Sequence, residues 1–261
     1  MQRIFIPTHD RPEGIKKTLE FITNSNFDGE INLCLSPGQE KDYFYLKDEY
    51  GVKLIKTDAH NVIEKFNFIH DAVVEGGEAF VIEDDVVIIG KDRKPVKDLK
   101  NLIKEGFDSL KGAGLFGLSP HSNPFYMSGK ITRTLKLTVA HAFGFVKEDD
   151  DWLKVTQIAK SDYERTCRYF LKYGEIVRLD FYGVKTVSYT AKGGMQSDMD
   201  YSEINQKERD AVDYLCETFP MLLKENKKKK SLHPELSFKR CKLPDFQLRM
   251  LMNGIKIKGH Q

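Results

Sequence analysis

Residues 79–90, AFVIEDDVVIIG, set three consecutive carboxylates, Glu83, Asp84 and Asp85, between two apolar runs. A carboxylate taken out of water without a partner is costly, and adjacent ones repel each other. The triplet therefore emerges at a strand end, or has a cation beside it, or both. Ala79–Ile82 has the unbroken apolar character of a parallel strand covered on both faces, and Val86–Ile89 continues it. A solvated acidic turn would not need FVI before it and VVII after it. The carboxyl edge of an open α/β sheet is where ligands bind, and hard oxygens there suit Mg²⁺ or Mn²⁺ carrying a substrate phosphate.

The rest of the chain supplies such a sheet. RIFIP (3–7) reads as an opening strand, followed by a loop and a helix with Ile15, Leu19 and Ile22 at helical spacing and Pro12 in its first turn. INLCLSP and GVKLIKT are further strands, with a helix or turn at DYFYLKDEY between them. NVIEKFNFIHDAVVEGG is a helix with Val62, Phe66, Ile69 and Val73 on one face, and AFVIEDDVVI is the fourth strand. Three alternations of strand and helix predict a doubly wound, mostly parallel α/β sheet of Rossmann type flanked by helices, with the triplet at its working edge. A helix over PVKDLKNLIKEGFDSLKG, a strand at AGLFGLSP and a hairpin or strand at TLKLTVAHAFGFVKE come next. SDYERTCRYFLKYG is an amphipathic helix with Ser161 as its N-cap, IVRLDFYGVKTVSYTAKGG is late β structure, and SEINQKERDAVDYLCETFP is a last helix. Pro220 and a lysine run predict a boundary near residue 220, giving a catalytic domain over 1–220 and a basic extension over 221–261.

No stretch approaches the roughly 18 apolar residues of a membrane span, and MQRIFIPTHDRP lacks the features of a signal peptide, so the chain is expected in the cytoplasm and away from membranes. Cys34, Cys167, Cys216 and Cys241 form no C-x-x-C pair and read as reduced thiols. The net charge of +2 hides an asymmetry: from Lys224 onward there are 11 Lys and Arg against 3 acids, leaving the first 223 residues at −6. Lys227, Lys228, Lys229, Lys230, Lys239, Arg240 and Lys242 are the place to look for a polyanion such as DNA, the alternative being a solubilising tail.

Three other segments carry chemistry. The PTHDRP loop offers Thr8, Asp10 and Arg11 at a strand's carboxyl edge, where a nucleotide and its phosphates need main-chain contacts and a cation. SDYERTCRYF places Asp162 and Glu164 in a first helical turn, which favours carboxylates whatever their role. AKGG offers Lys192, Gly193 and Gly194 as a cationic loop that closes over phosphates, or as a plain turn.

A first strand ending IPTHDRP, followed about 75 residues later by an apolar strand ending EDD, resembles the GT-A fold of nucleotide-sugar-dependent glycosyltransferases over roughly residues 3–195. The resemblance implies that the triplet stands where the family's DxD motif bridges ribose and diphosphate through a divalent metal. Asp85 would then be the principal metal ligand, Glu83, in place of the usual Asp, an indirect one, and Asp84 a ribose or sugar contact. It further implies Asp162 as the base that takes the acceptor's proton in an inverting reaction, with Glu164 in reserve, and AHAFGF (140–145) as an acceptor-side turn in which Gly144 permits close approach. The donor implied is a UDP-sugar.

The layout looks most like the phage glycosyltransferases associated with TET/JBP-type base oxidation, which implies 5-hydroxymethylcytosine in duplex DNA as acceptor. Phe125, Tyr126 or Phe143 would stack on a flipped base. The alternatives are a GT-A transferase acting on lipopolysaccharide, another glycan or protein, and a non-catalytic nucleic-acid-binding protein. A nucleotidyltransferase ranks below these, because no Gly-rich phosphate signature stands near the N-terminus.

Overall fold

The computed structural model describes residues 1–91, 94–187, 201–227 and 234–240. Its strands are β1 (Arg3–Thr8), β2 (Glu30–Leu35), β3 (Lys53–Lys56), β4 (Glu78–Ile82), β5 (Val86–Lys91), β6 (Lys94–Pro95), β7 (Leu115–Ser119), β8 (Ile131–Arg133), β9 (Ala142–Val146), β10 (Val177–Thr186), β11 (Leu223–Glu225) and β12 (Leu236–Phe238). Its helices are α1 (Lys16–Thr23), α2 (Glu40–Tyr43), α3 (Tyr45–Tyr50), α4 (Val62–Ala72), α5 (Leu99–Asp108), α6 (Ser161–Tyr173) and α7 (Tyr201–Thr218). The main sheet runs β3-β2-β1-β4-β9-β7-β10-β5-β6, with β8 on β10. β1, β2, β3, β4, β7 and β10 share one direction, and β9 runs against β4 and β7.

Alternation along each strand feeds two cores. Ile4, Ile6, Phe80 and Ile82 pack with Leu19 of α1, Leu46 of α3 and Leu102 of α5. Phe5, Ala79, Val81 and Phe143 pack with Phe66 of α4, Phe170 of α6 and Leu215 of α7. A strand apolar on both faces thus has helices on both, as its sequence requires. The β11–β12 hairpin places Leu222, Leu223 and Leu236 in the second core, so the first part of the basic segment packs against the same apolar layer as α6 and α7.

The structure departs from the expected layout at four places. AFVIEDDVVI is not one strand: it breaks at the triplet, where the Val86 amide donates to the Glu83 carbonyl, and β5 leaves to pair antiparallel with β10. From Ile82 to Val86 the chain reaches at most about 14 Å. Four flat inter-strand spacings, the separation of β4 and β5 in the sheet order, would be about 19 Å. The sheet therefore curls, helped by an irregularity in β10 between Leu179 and Gly183, and the end of β10 returns to the triplet, where the Val187 amide donates to the Asp85 carbonyl at 3.0 Å.

TLKLTV is not a strand, and AHAFGF is not a turn: β9 carries Ala142–Val146 through the middle of the sheet. Gly144 is needed there for packing, since a Cβ would lie 2.1 Å from the Phe116 ring. Finally, α6 is preceded by Lys160 in the left-handed region (φ 57), and Ser161 is its first helical residue, making no side-chain cap.

Candidate active site

Three segments meet at the carboxyl edge of β1 and β4. The first is the loop after β1. Thr8 Oγ1 donates to Asp84 Oδ2 at 2.7 Å and accepts from the Tyr43 hydroxyl at 3.0 Å, while Arg11 Nη1 donates to Asp84 Oδ1 at 2.9 Å. The Arg11 amide donates to the same Tyr43 hydroxyl, and Thr18 Oγ1 to the Asp84 carbonyl. Both Asp84 oxygens are thus engaged in tying the β1 loop to the end of β4. Burial pushes this carboxyl up, opposed by Arg11 and the Thr8 hydroxyl. Below it, the buried Lys65 of α4 donates to the Thr8 carbonyl at 2.7 Å, and burial lowers its ammonium to about 8. Asp10 is exposed, with φ 51, and its amide faces Gln39.

The second segment is the rest of the triplet. Antiparallel pairing of β4 with β9 sets Ile82 opposite Ala142, and one step further Glu83 meets His141. The Glu83 amide donates to the His141 carbonyl at 3.0 Å, and Glu83 Oε2 lies 2.5 Å from His141 Nδ1. Burial alone would lower the imidazole, but the Glu83 carboxylate outweighs it and holds His141 up at about 9. Asp85 is raised to about 6, by burial first and then by the Glu83 charge, and its buried Oδ1 has no hydrogen-bond partner among the described residues.

Ligand atoms of Glu83, Asp85 and His141 all lie within 4.8 Å of one another. Two carboxylates, one with an orphaned buried oxygen, and an imidazole fit a hard or borderline divalent cation such as Mn²⁺ or Mg²⁺. A divalent charge there would also offset the repulsion that raises Asp85.

The third segment is the start of α6. Asp162 is half-buried, accepts from the Tyr163 amide at 2.9 Å, and lies within electrostatic reach of His141, Arg165 and Lys160. Burial pushes it above the ordinary carboxylate range, against the pull of those cations. Glu164 is not brought to this edge. It is fully buried and accepts from the Thr156 and Gln157 amides, the Thr156 hydroxyl, and Nε and Nη2 of Arg168.

The structure therefore gathers Thr8, Arg11, Glu83, Asp84, Asp85 and Asp162. Lys227, Lys239 and Arg240 are exposed near the β11–β12 hairpin, and Lys239 Nζ donates to the Pro220 carbonyl. Lys192, Gly193, Gly194, Lys228, Lys229, Lys230 and Lys242 lie outside the described residues. Phe143 is buried in the core, whereas Phe125 and Tyr126 are exposed on the loop after β7. Sequence reasoning missed His141, Lys65 and Arg165. His141 had a signal in the pairing of AHAFGF against AFVIE, which sets residue 141 opposite 83.

The chain matches no family model, and no curated protein matches its sequence. Solved structures do resemble it. A mycobacterial protein aligns over 93% of this chain and 85% of its own at 10% identity, with a TM-score of 0.52. CMP:2-keto-3-deoxy-manno-octonic acid synthetase in complex with CTP aligns over 82% and 99% at 13% identity, with a TM-score of 0.47. UDP-glucose pyrophosphorylase complexed with UDP-glucose aligns over 71% and 92% at 8% identity, with a TM-score of 0.46. The fold class is the expected one, a mixed α/β architecture with a central, mostly parallel sheet flanked by helices.

Proposed function

We propose that the chain is a metal-dependent glycosyltransferase moving a sugar from a UDP-sugar to the hydroxymethyl group of 5-hydroxymethylcytosine in DNA. The observation that carries this reading is the convergence of a metal-competent trio, Glu83, Asp85 and His141, with the separate half-buried carboxylate of Asp162. A bound divalent cation would stabilise the charge that develops on the departing diphosphate. Arg11 and Lys65 hold cationic charge by the β1 loop, where the nucleotide is expected, and the Asp84–Thr8–Tyr43 bonds fix that loop before the donor arrives. Asp162 takes the proton of the acceptor hydroxyl as the new bond forms, which requires the two groups to come within about 3 Å.

Glycosyl transfer is favoured over nucleotidyl transfer by this second carboxylate and by the PTHDRP loop, which has no glycine-rich phosphate cradle. The DNA acceptor rests on the resemblance to phage base-modifying transferases and on the basic C-terminal segment.

The test is mass spectrometry of nucleosides from hydroxymethylcytosine DNA incubated with protein, Mn²⁺ and a panel of nucleotide sugars. A mass gain of one sugar on the modified nucleoside is expected, strongest with a UDP-sugar. Sugar transfer to a glycan panel in its place would move the acceptor to lipopolysaccharide or another glycan. Metal-dependent exchange of pyrophosphate into a nucleoside triphosphate would replace the reading with nucleotidyl transfer.

A further inference from the structure

The loop after β7 holds two large aromatic side chains in solvent, Phe125 at 83% and Tyr126 at 63% exposure. Apolar rings left in water are a cost unless a partner covers them. This loop is nonetheless held in one shape. Asn123 Oδ1 accepts from the Phe125 amide at 3.1 Å and opens a single 3-10 turn, Pro124–Tyr126. The Ser128 amide donates to Asp180 Oδ2 and the Gly129 amide to the Asp180 carbonyl, while the Asp180 amide donates to the Lys130 carbonyl. Between these ties the loop lies on bare backbone: a Cβ on Gly183 of β10 would come 2.3 Å from the His121 carbonyl oxygen and 2.5 Å from the Met127 methyl. The Phe125 and Tyr126 rings meet edge to face at 5.2 Å, with the His121 ring 5.4 Å from that of Tyr126.

Register puts this loop beside the candidate active site. Phe143 of β9 stands opposite Val81 of β4 on one side and Gly117 of β7 on the other. Continued for two residues, that register sets Glu83 and Ser119 level at the carboxyl edge, two strand spacings or about 10 Å apart, with His141 between them. The loop leaves the sheet at Ser119, whose Oγ accepts from the His121 amide. Residues 109–147 contain five Lys and Arg and no Asp or Glu. Asp180, against which the loop is pinned, is 1% exposed and ion-paired with Lys136 and Arg178, and Arg133 is ion-paired with Glu175. Lys130 on the loop is exposed and has no ion pair among the described residues, and the exposed Lys91 of β5 stands opposite Tyr182, next to Gly183. Exposed rings among cations are what holds a single nucleic-acid strand, whose bases stack while its phosphates are neutralised. A neutral glycan would stack on the rings but has no use for a surface free of acids.

We propose that the 120–130 loop is a stacking platform for unpaired bases of the acceptor strand, with Phe125 and Tyr126 as the rings and Lys130 as a phosphate contact. The proposal deepens the reading of the acceptor as DNA and rests on it for the chemistry next door, but strand binding is measurable without sugar transfer. A separation of about 10 Å is short beside a bound single strand of roughly 4–16 nucleotides, so bases on the platform and a target at Asp162 belong to one strand. A duplex offers only paired and stacked bases, so the platform favours a single-stranded or locally opened acceptor. A loop already fixed by Asn123, Asp180 and Gly183 loses little freedom when the strand arrives.

The experiment measures, by fluorescence anisotropy on the full chain, affinity for an unmodified single-stranded oligonucleotide and for the same sequence as a duplex, in the wild type, F125A, Y126A, the double variant, Y126F and K130Q. The wild type should prefer the single strand. F125A and Y126A should each weaken single-strand binding by about tenfold, with duplex binding little changed and Y126F near the wild type. K130Q should lower the single-strand salt slope by about 0.7. Thermal unfolding of the alanine variants should match the wild type, since both rings are in solvent. No single-strand binding by the wild type, unchanged affinity in the double variant, or an equal loss on the duplex overturns the proposal. Earlier unfolding of both alanine variants also overturns it and makes the rings packing residues. Ring-dependent binding of neutral glycans without binding of the single strand overturns it in favour of a sugar platform. Sugar transfer is scored separately: ring-dependent strand binding without any transfer by the wild type refutes the glycosyltransferase reading and leaves the platform standing, whereas transfer without ring-dependent strand binding does the reverse.

Discussion

Asp85 is the residue on which the proposed metal site turns. Its buried Oδ1 has no partner among the described residues, and its carboxyl is raised to about 6 by burial and by Glu83. Below pH 6 it holds a proton that a metal must displace, so Mn²⁺ affinity should fall as pH drops through 6, by about tenfold per unit. Because His141 is held at about 9, a rise of about tenfold per unit should continue from pH 6 to 9 if its imidazole ligates, and the fall below pH 6 then steepens to about a hundredfold per unit. Calorimetry with Mn²⁺ and UDP at several pH values checks both limbs, and D85A should abolish the metal-dependent part. Equal affinity in D85A would remove the site. For Asp162, D162N keeps the helix start but removes the base, so transfer should drop by about 10² or more with donor affinity unchanged. Near-normal transfer would mean that the enzyme retains anomeric configuration or uses another base. The triplet was legible in the sequence because carboxylates inside an apolar run are physically conspicuous. His141 was not, since one histidine 58 residues away gains meaning only through the β4–β9 register. Arg165 was hidden too, because a cation in an amphipathic helix reads as solvated until the fold buries it.

At the scale of elements, α6 shows how position in a helix separates two carboxylates that look alike in sequence. Asp162 and Glu164 both fall in the first turn, where the helix dipole welcomes either. Two residues are about 200° of rotation, so one faces the sheet edge and the other the core. The core-facing Glu164 organises the 156–157 loop and Arg168, and E164A would leave a buried guanidinium without its main partner. A loss of about 3–5 kcal/mol is expected, read by denaturant unfolding, with metal and UDP affinity of the folded fraction unchanged. A loss under about 1 kcal/mol would show that water or a neighbouring group replaces the carboxylate. The strands were legible for a similar reason: their double-sided apolar character has one architectural solution. The break between β4 and β5 was not, because VVII continues the apolar run without a turn residue. What breaks the strand is the curl of the sheet, a long-range fact. Gly144 likewise read as a turn glycine, whereas the Phe116 ring against it makes it a packing glycine in a central strand.

At the scale of the whole molecule the charges divide, with −6 over the first 223 residues and a surplus of eight from Lys224 onward. The acidic trio and Asp162 belong to the first part. The second begins with a hairpin whose leucines dock in the α6–α7 core and whose end presents Lys239 and Arg240 to solvent. If this basic segment contacts duplex phosphates, each contact releases counterions, and log K falls with log salt by roughly 0.9 per phosphate engaged. Replacing Lys227, Lys228, Lys229 and Lys230 by Gln should therefore flatten the salt slope and weaken binding to all DNA sequences alike. K239Q with R240Q should flatten it further by up to about two phosphates' worth. Donor binding at Asp85 should not change in either variant, because exposed charges farther away than a Debye length of about 8 Å are largely screened. DNA affinity at several salt concentrations measures the slope, and calorimetry with UDP and Mn²⁺ measures the donor site. Identical slopes in all three proteins would make the lysine run a solubilising tail, and would move the acceptor from DNA to a glycan while leaving the metal site and Asp162 where they are.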